Sequence, residues 1–252
     1  ENLAECGRIQ LLSESGWTLE KLLEEEISFR PLKCFVSFLE QQSMNAELLT
    51  KSILYPQENG QLHYSTQISN VNSPKTACNI EMLFEPIKKK KKFNLFGAST
   101  EKSPFTFDKI KKFSESCSRI STPYVPNYSE RNILGVLPVS SYWRILEECR
   151  WDFTHKLGIT LDYIRKENTT MFYMGGTFQF HKEILAGEKL KIYTWIDQID
   201  KIWVYMRQDC INEKTKELKL SLRGKLLIVS LDKARPKRAD EHLIRFYKKY
   251  TE

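Results

Sequence analysis

Apolar residues recur at three- and four-residue steps through Tyr142, Ile145, Leu146, Cys149, Phe153 and Leu157, which predicts a helix with one buried face. Gly158 follows as the glycine that ends it, and one more helical turn is expected over 161–165. The period then changes to two. Leu190, Ile192, Thr194 and Ile196 alternate with Lys189, Lys191, Tyr193 and Trp195. Ile202, Val204 and Met206 alternate with Trp203, Tyr205 and Arg207, and Leu218, Leu220 and Leu222 with Lys219, Ser221 and Arg223. Such alternation predicts antiparallel strands with one buried face, joined by turns at Asp197–Lys201 and Asn212–Glu217. The first half of the chain carries the same order. A helix is expected over Leu3 to Ser13, then strands at about 32–40, 46–55, 60–69 and 75–85, with Asn59-Gly60 as a hairpin signal. Each half thus reads as a long helix covering the apolar face of a four-stranded sheet, an α+β architecture.

The two halves also match residue for residue. Gly16-Trp17-Thr18-Leu19-Glu20 returns 142 positions later as Gly158-Ile159-Thr160-Leu161-Asp162. Glu25 and Glu167, Val36 and Phe178, Phe38 and Phe180, and Asn70 and Asn212 keep that offset. Leu3 and Cys6 match Leu146 and Cys149 at an offset of 143, and Glu47 and Leu49 match Glu188 and Leu190 at 141. Small loop insertions produce such one-residue drifts. The expected division is a first domain over 1–87, a basic and polar linker over 88–115, and a second domain over 116–252.

Charge and composition refine this picture. Residues 1–87 hold 6 Lys/Arg against 12 Asp/Glu, whereas 88–252 hold 33 against 20, so the chain's +7 is concentrated in its second part. Lys88, Lys89, Lys90, Lys91 and Lys92 form one basic run, read either as a solvated loop or as a contact for nucleic-acid phosphates or another anionic surface. No aromatic residue is interleaved in it, which argues against base readout. No apolar run approaches the roughly 20 residues of a membrane-spanning helix. The opening residues Glu1-Asn2-Leu3-Ala4-Glu5 show no basic stretch leading into an apolar one. The six cysteines form no C-x-x-C pair and do not cluster with the four histidines, so neither a zinc site nor any other metal or cofactor is expected. Scattered thiols point to an intracellular setting, cytoplasmic or in an organellar matrix.

Residues 116–239 carry a family resemblance. Ile120-Ser121-Thr122-Pro123-Tyr124-Val125 reads as a strand. A loop follows from Tyr128 through Asn132 and Gly135 to Val139, and then the helical Ser141-Tyr142-Trp143-Arg144-Ile145-Leu146-Glu147-Glu148. This order resembles the hot-dog thioesterases of the 4-hydroxybenzoyl-CoA and acyl-CoA type. Their loop has the form Y-x-x-x-D-x-x-G-x-V/L, followed by a histidine and then a helix beginning N-Y-L-x-x-F/L-E-E. The resemblance implies two tandem hot-dog domains, the first lacking its opening strand and loop, with about 25–40 residues expected upstream of Glu1 on loop-plus-strand length.

Two positions depart from the family pattern. Asn132 stands where the family has its catalytic aspartate, and Val139 where it has its histidine; Tyr128 is retained. An asparagine amide has no useful basicity but can donate to an oxyanion. The resemblance implies Asn132, Tyr128 and Glu148 as catalytic candidates, with Glu147 and Asp152 as further helix carboxylates. It places Gly135, Tyr142, Gly175, Gly176 and Thr177 against substrate, the glycine pair at the start of a strand. Tyr173, Phe178, Phe180, Trp195 and Trp203 either line an acyl tunnel or serve as ordinary core aromatics. His155, at the helix end, is poorly placed for dehydratase chemistry. Two functions remain open. One is hydrolysis of an acyl thioester carried on CoA or on an acyl carrier protein. The other is a catalytically inactive hot-dog subunit of a larger ribonucleoprotein or membrane complex.

Overall fold

The computed structural model describes residues 2–73, 75–97, 101–132 and 136–252. They fall into two compact units, the first running to Asp108 and the second beginning at Lys109.

In the first unit, helix α1 (Asn2–Glu14) and the short α2 (Leu19–Glu24) precede four long strands, β1 (Ile27–Phe38), β2 (Leu48–Pro56), β3 (Leu62–Asn70) and β4 (Thr76–Lys88). The strands pair in the order β2-β3-β4-β1, every pair antiparallel. α1 lies against β2 and β3. Ala4 and Leu12 of the helix are buried along with Val36, Tyr64, Ile80 and Met82 of the strands. The lysine run is not a loop. Lys91–Lys92 forms β5, paired with Ile87 and Lys88, so the run closes a hairpin whose turn residues Lys89 and Lys90 have φ of 48° and 66°. Two successive left-handed residues make the tight turn that suits a twisted hairpin, a role Asn and Gly fill at lower cost. Lys88 pairs with Glu25, and Lys92 with the buried Glu85 at 2.6 Å. Beyond the hairpin, Phe105 and Phe107 lie on Phe35 and His63, ring centroids 5.1 Å and 5.2 Å apart.

The second unit repeats this order, with a strand placed before its helices. β6 (Ile120–Tyr124) leads to α3 (Val139–Lys156) and α4 (Leu161–Lys166). Then come β7 (Thr169–Phe180), β8 (Leu190–Asp200), β9 (Trp203–Asn212) and β10 (Leu218–Ser230), and a closing helix α5 (Glu241–Tyr247). The antiparallel order is β7-β10-β9-β8-β6. Ile145, Leu146, Cys149 and Phe153 of α3 are fully buried, as their spacing predicts. Gln208 fastens helix to sheet, its Nε2 donating to the Leu146 carbonyl at 3.0 Å and to Thr194 at 3.3 Å. α5, which the periodicity did not reveal, completes the core: Leu243 and Tyr247 are buried, and the Tyr247 ring stacks on Phe153 at 6.1 Å.

The repeat is visible in the backbone. Gly16 and Gly158 have φ of 82° and 83°. Thr18 and Thr160 cap α2 and α4, each accepting a backbone N–H with its hydroxyl, at 3.4 Å and 3.3 Å. Glu26 and Asn168 then take φ of 53° and 49° as each chain turns into its first long strand.

Candidate active site

The loop between β6 and α3 is built from its ends inward. β6 pairs with β8 from Ile120–Thr194 to Tyr124–Leu190. After it, the Pro126 carbonyl accepts the Gly187 N–H at 2.8 Å, tying the loop to the turn before β8. Tyr128–Glu130 forms a single 3-10 turn. Tyr128 is 66% exposed, and its ring lies over Gly187, where an added Cβ would come within 2.5 Å of the hydroxyl oxygen. That close approach and a φ of 78° together require the glycine. Asn132 closes the loop on itself. Its N–H donates to the Val136 carbonyl at 2.9 Å, and its Oδ1 accepts the Val136 N–H at 3.3 Å. With Oδ1 so engaged, the amide nitrogen is the donor end of the side chain. Gly135 lies outside the described residues.

α3 begins directly after this loop. Its N-cap is Pro138, which makes no side-chain capping bond, and its first turn holds no acidic residue. The opening N–H groups of a helix lack intrahelical partners and carry the positive end of its dipole, so this end is suited to a developing negative charge. Val139 stands in the first turn and is buried. Tyr142 is turned into the core: it is 2% exposed, packs edge-on against Phe180 at 5.4 Å, and its hydroxyl accepts the Ile184 N–H at 3.4 Å. Burial raises its pKa above the ordinary tyrosine value. The three helix carboxylates differ. Glu147 and Glu148 are exposed. Asp152 is held, accepting from the Thr122 hydroxyl and from Lys156 at 2.5 Å. Partial burial works to raise its pKa, but the Lys156 and Thr122 bonds outweigh this and the value is lowered.

Gly175 and Gly176 lie in the middle of β7, not at its start. Gly175, with φ of 117°, sits at a bulge opposite Lys225 and Leu226. A Cβ on Gly176 would lie 2.5 Å from the Arg223 carbonyl oxygen and 3.1 Å from the Tyr173 hydroxyl. The space before Gly176 is therefore filled by β10 backbone and the Tyr173 side chain. Thr177 is buried, in register with Arg223. Phe178 stacks on Trp143 of α3 at 5.1 Å, and Arg150 covers Tyr173 at 4.3 Å. Trp195 belongs to the other face of the sheet. It lies opposite Arg207 and beneath Phe113, whose ring centroid is 4.9 Å away.

The structure adds one residue that the motif comparison passes over. Glu130, two positions before Asn132, turns its side chain inward to 14% exposure. Its Oε2 is buried without a hydrogen-bond partner; the nearest cation, Arg144 Nη2 of α3, is 3.9 Å away. Burial chiefly, and then Glu130, raise the pKa of Tyr124. Only the fold shows that this carboxylate points inward. Among the described residues no group of His, Cys, Asp and Glu is gathered as a metal site, and no helix is long and apolar enough to cross a membrane. Cys6, Cys117, Cys149 and Cys210 are free thiols.

Residues 128–246 match the thioesterase-like superfamily. The second unit has the hot-dog fold, and the match lies within it. The likeness of fold extends over nearly the whole chain. An acyl-ACP thioesterase from Bacteroides thetaiotaomicron superposes with a TM-score of 0.62 at 15% identity, over 90% of this chain and 86% of that one. The 12:0-ACP thioesterase from Umbellularia californica superposes with a TM-score of 0.60 at 10% identity, over 87% of this chain and 77% of that one. At these identities the superpositions speak for the fold, an α+β tandem of hot-dog domains. No curated protein sequence matches the chain.

Proposed function

We propose that this protein hydrolyses acyl thioesters, carried on CoA or on an acyl carrier protein, at the 128–139 loop and the start of α3. The observation that carries the proposal is the N-terminus of α3, where Pro138 makes no side-chain capping bond and no acidic residue stands in the first turn, following the loop that bears Asn132. In the reaction, water adds to the thioester carbonyl, and the resulting oxyanion is met by the first N–H groups of α3 or by the Asn132 amide. The carbon–sulfur bond then breaks, giving a carboxylic acid and a thiol. Tyr128, exposed at the loop surface, and Glu148, exposed on α3, are the further catalytic candidates in this reading. The test is release of free thiol from acyl-CoA and acyl-carrier-protein substrates across chain lengths. Turnover equal to buffer throughout would overturn it.

Asn132 and Val139 favour a second reading, a hot-dog subunit without catalysis. With Lys88 and Lys92 committed to Glu25 and Glu85, Lys89, Lys90 and Lys91 at the hairpin tip remain for an anionic partner such as RNA phosphate. Free thiols in the core fit an intracellular setting for either function.

A further inference from the structure

We infer that Glu130 is the general base of this site, supplying the carboxylate that the loop lost when asparagine took position 132. The inference rests on the thioesterase proposal and deepens it. A buried carboxylate oxygen without a donor is costly, and native proteins keep such groups where chemistry uses them. Glu130 Oε2 is buried with no hydrogen bond, and Arg144 at 3.9 Å is near enough to hold the charge but not to occupy the lone pair. Arg144 is itself engaged elsewhere, its Nη2 donating to the Ser141 hydroxyl at 3.1 Å. The 3-10 turn fixes the backbone, with the Glu130 N–H on the Asn127 carbonyl at 3.2 Å. The loop leads to the start of α3, whose N-cap Pro138 makes no side-chain capping bond. A proton acceptor thus lies just ahead of a helix end suited to an oxyanion.

The step balances without any further reactant. Glu130 takes a proton from water as the water oxygen bonds to the thioester carbon. As the carbon–sulfur bond breaks, that proton passes to the departing sulfur, leaving acid and thiol and restoring the carboxylate. Arg144 from α3 and Tyr124 from β6 face the group.

The test is steady-state kinetics of the full chain on acyl-CoA and acyl-carrier-protein substrates, with pH profiles of kcat/KM. Glu130→Gln is expected to lower kcat by about 100-fold or more with KM nearly unchanged, and to abolish the acid limb of the wild-type profile. Glu130→Asp should recover part of the rate. Glu130→Asp keeps the charge but draws it back by one carbon, so its kcat should fall below wild type with KM nearly unchanged, and this readout stands even if Glu130→Gln does not fold. A Glu130→Gln enzyme within about threefold of wild type in kcat, or a Glu130→Asp enzyme with wild-type kcat, overturns the role of Glu130 while leaving the hydrolase proposal intact. Wild-type protein without turnover overturns both.

Discussion

At the scale of single residues, the site divides into positions whose chemistry is plain in the sequence and positions whose role depends on what surrounds them. Asn132 and Val139 are of the first kind, since a missing carboxylate and a missing imidazole are visible by inspection. Glu130 is of the second, because an acidic residue in a polar loop gives no sign that its side chain turns inward. The glycine pair is instructive in the same way. Gly175-Gly176 suggests a backbone left bare for a ligand, yet the room is taken by Tyr173 and the Arg223 carbonyl. Gly176→Ala is therefore expected to destabilise the fold by about 1–3 kcal/mol, the usual cost of forcing an extra carbon into a packed site. A lower denaturant midpoint with an unchanged slope would show it. Asn132→Asp restores a carboxylate to the family's position. It is expected to preserve or raise thioester turnover, and Tyr128→Phe to lower it. A large loss in Asn132→Asp would instead show that Asn132 works as an amide donor.

At the scale of elements, most of the architecture was legible because periodicity and turn chemistry agree. α3 ends where Gly158 predicts, and the four strands after each helix pair appear in order. Asn59-Gly60 does mark the turn between β2 and β3, with Gly60 at φ 78°. The lysine hairpin was illegible for a physical reason: its turn puts two lysines in the left-handed region, where local preference points elsewhere. α5 stayed hidden because seven residues are too few for a helical period to stand out. The fastening of β6 to α3 is also tertiary, resting on Thr122, Asp152 and Lys156, and it makes stability depend on pH. Because these partners lower the Asp152 pKa in the folded state, its contribution is present above the unfolded value near 3.8 and is lost as pH falls through the lower folded value. Asp152→Asn is expected to be less stable than wild type at pH 7. Chemical denaturation of both proteins, repeated as the pH is lowered past the folded value, should show the difference closing. A gap that persists there would assign the loss to packing.

At the scale of the whole molecule, alternation along the strands predicts sheets with one solvated face, and the second unit departs from this. Residues 109–118 lie on the outer face of its sheet. Phe113 packs on Trp195, Arg119 lies 3.9 Å over the Phe113 ring, and Ser118 donates to the Lys249 carbonyl at 3.0 Å. Under this cover Trp195 and Arg207 are 0% and 1% exposed, although both occupy positions that read as outward-facing. Arg207 donates to the Lys111 carbonyl at 2.6 Å and faces Asp197 at 3.8 Å. Burial lowers its pKa, with Asp209 and Asp197 opposing. A segment that sequence composition assigns to a linker thus acts as part of the fold, because one aromatic ring excludes water from a buried cation and an indole. Phe113→Ala removes that ring. It is expected to cost about 1–2 kcal/mol, since Phe113 is itself only half-buried, and to admit water to Trp195. The direct measurement is tryptophan emission, which should move to longer wavelength in Phe113→Ala at temperatures where the fold persists. The chain has five tryptophans, so the shift must be assigned. It should be absent when the same substitution is made in a Trp195→Phe background. A red shift that survives there would mean that the segment shields some other indole, and an unshifted spectrum in Phe113→Ala alone would mean that the rest of 109–118 covers Trp195 without it.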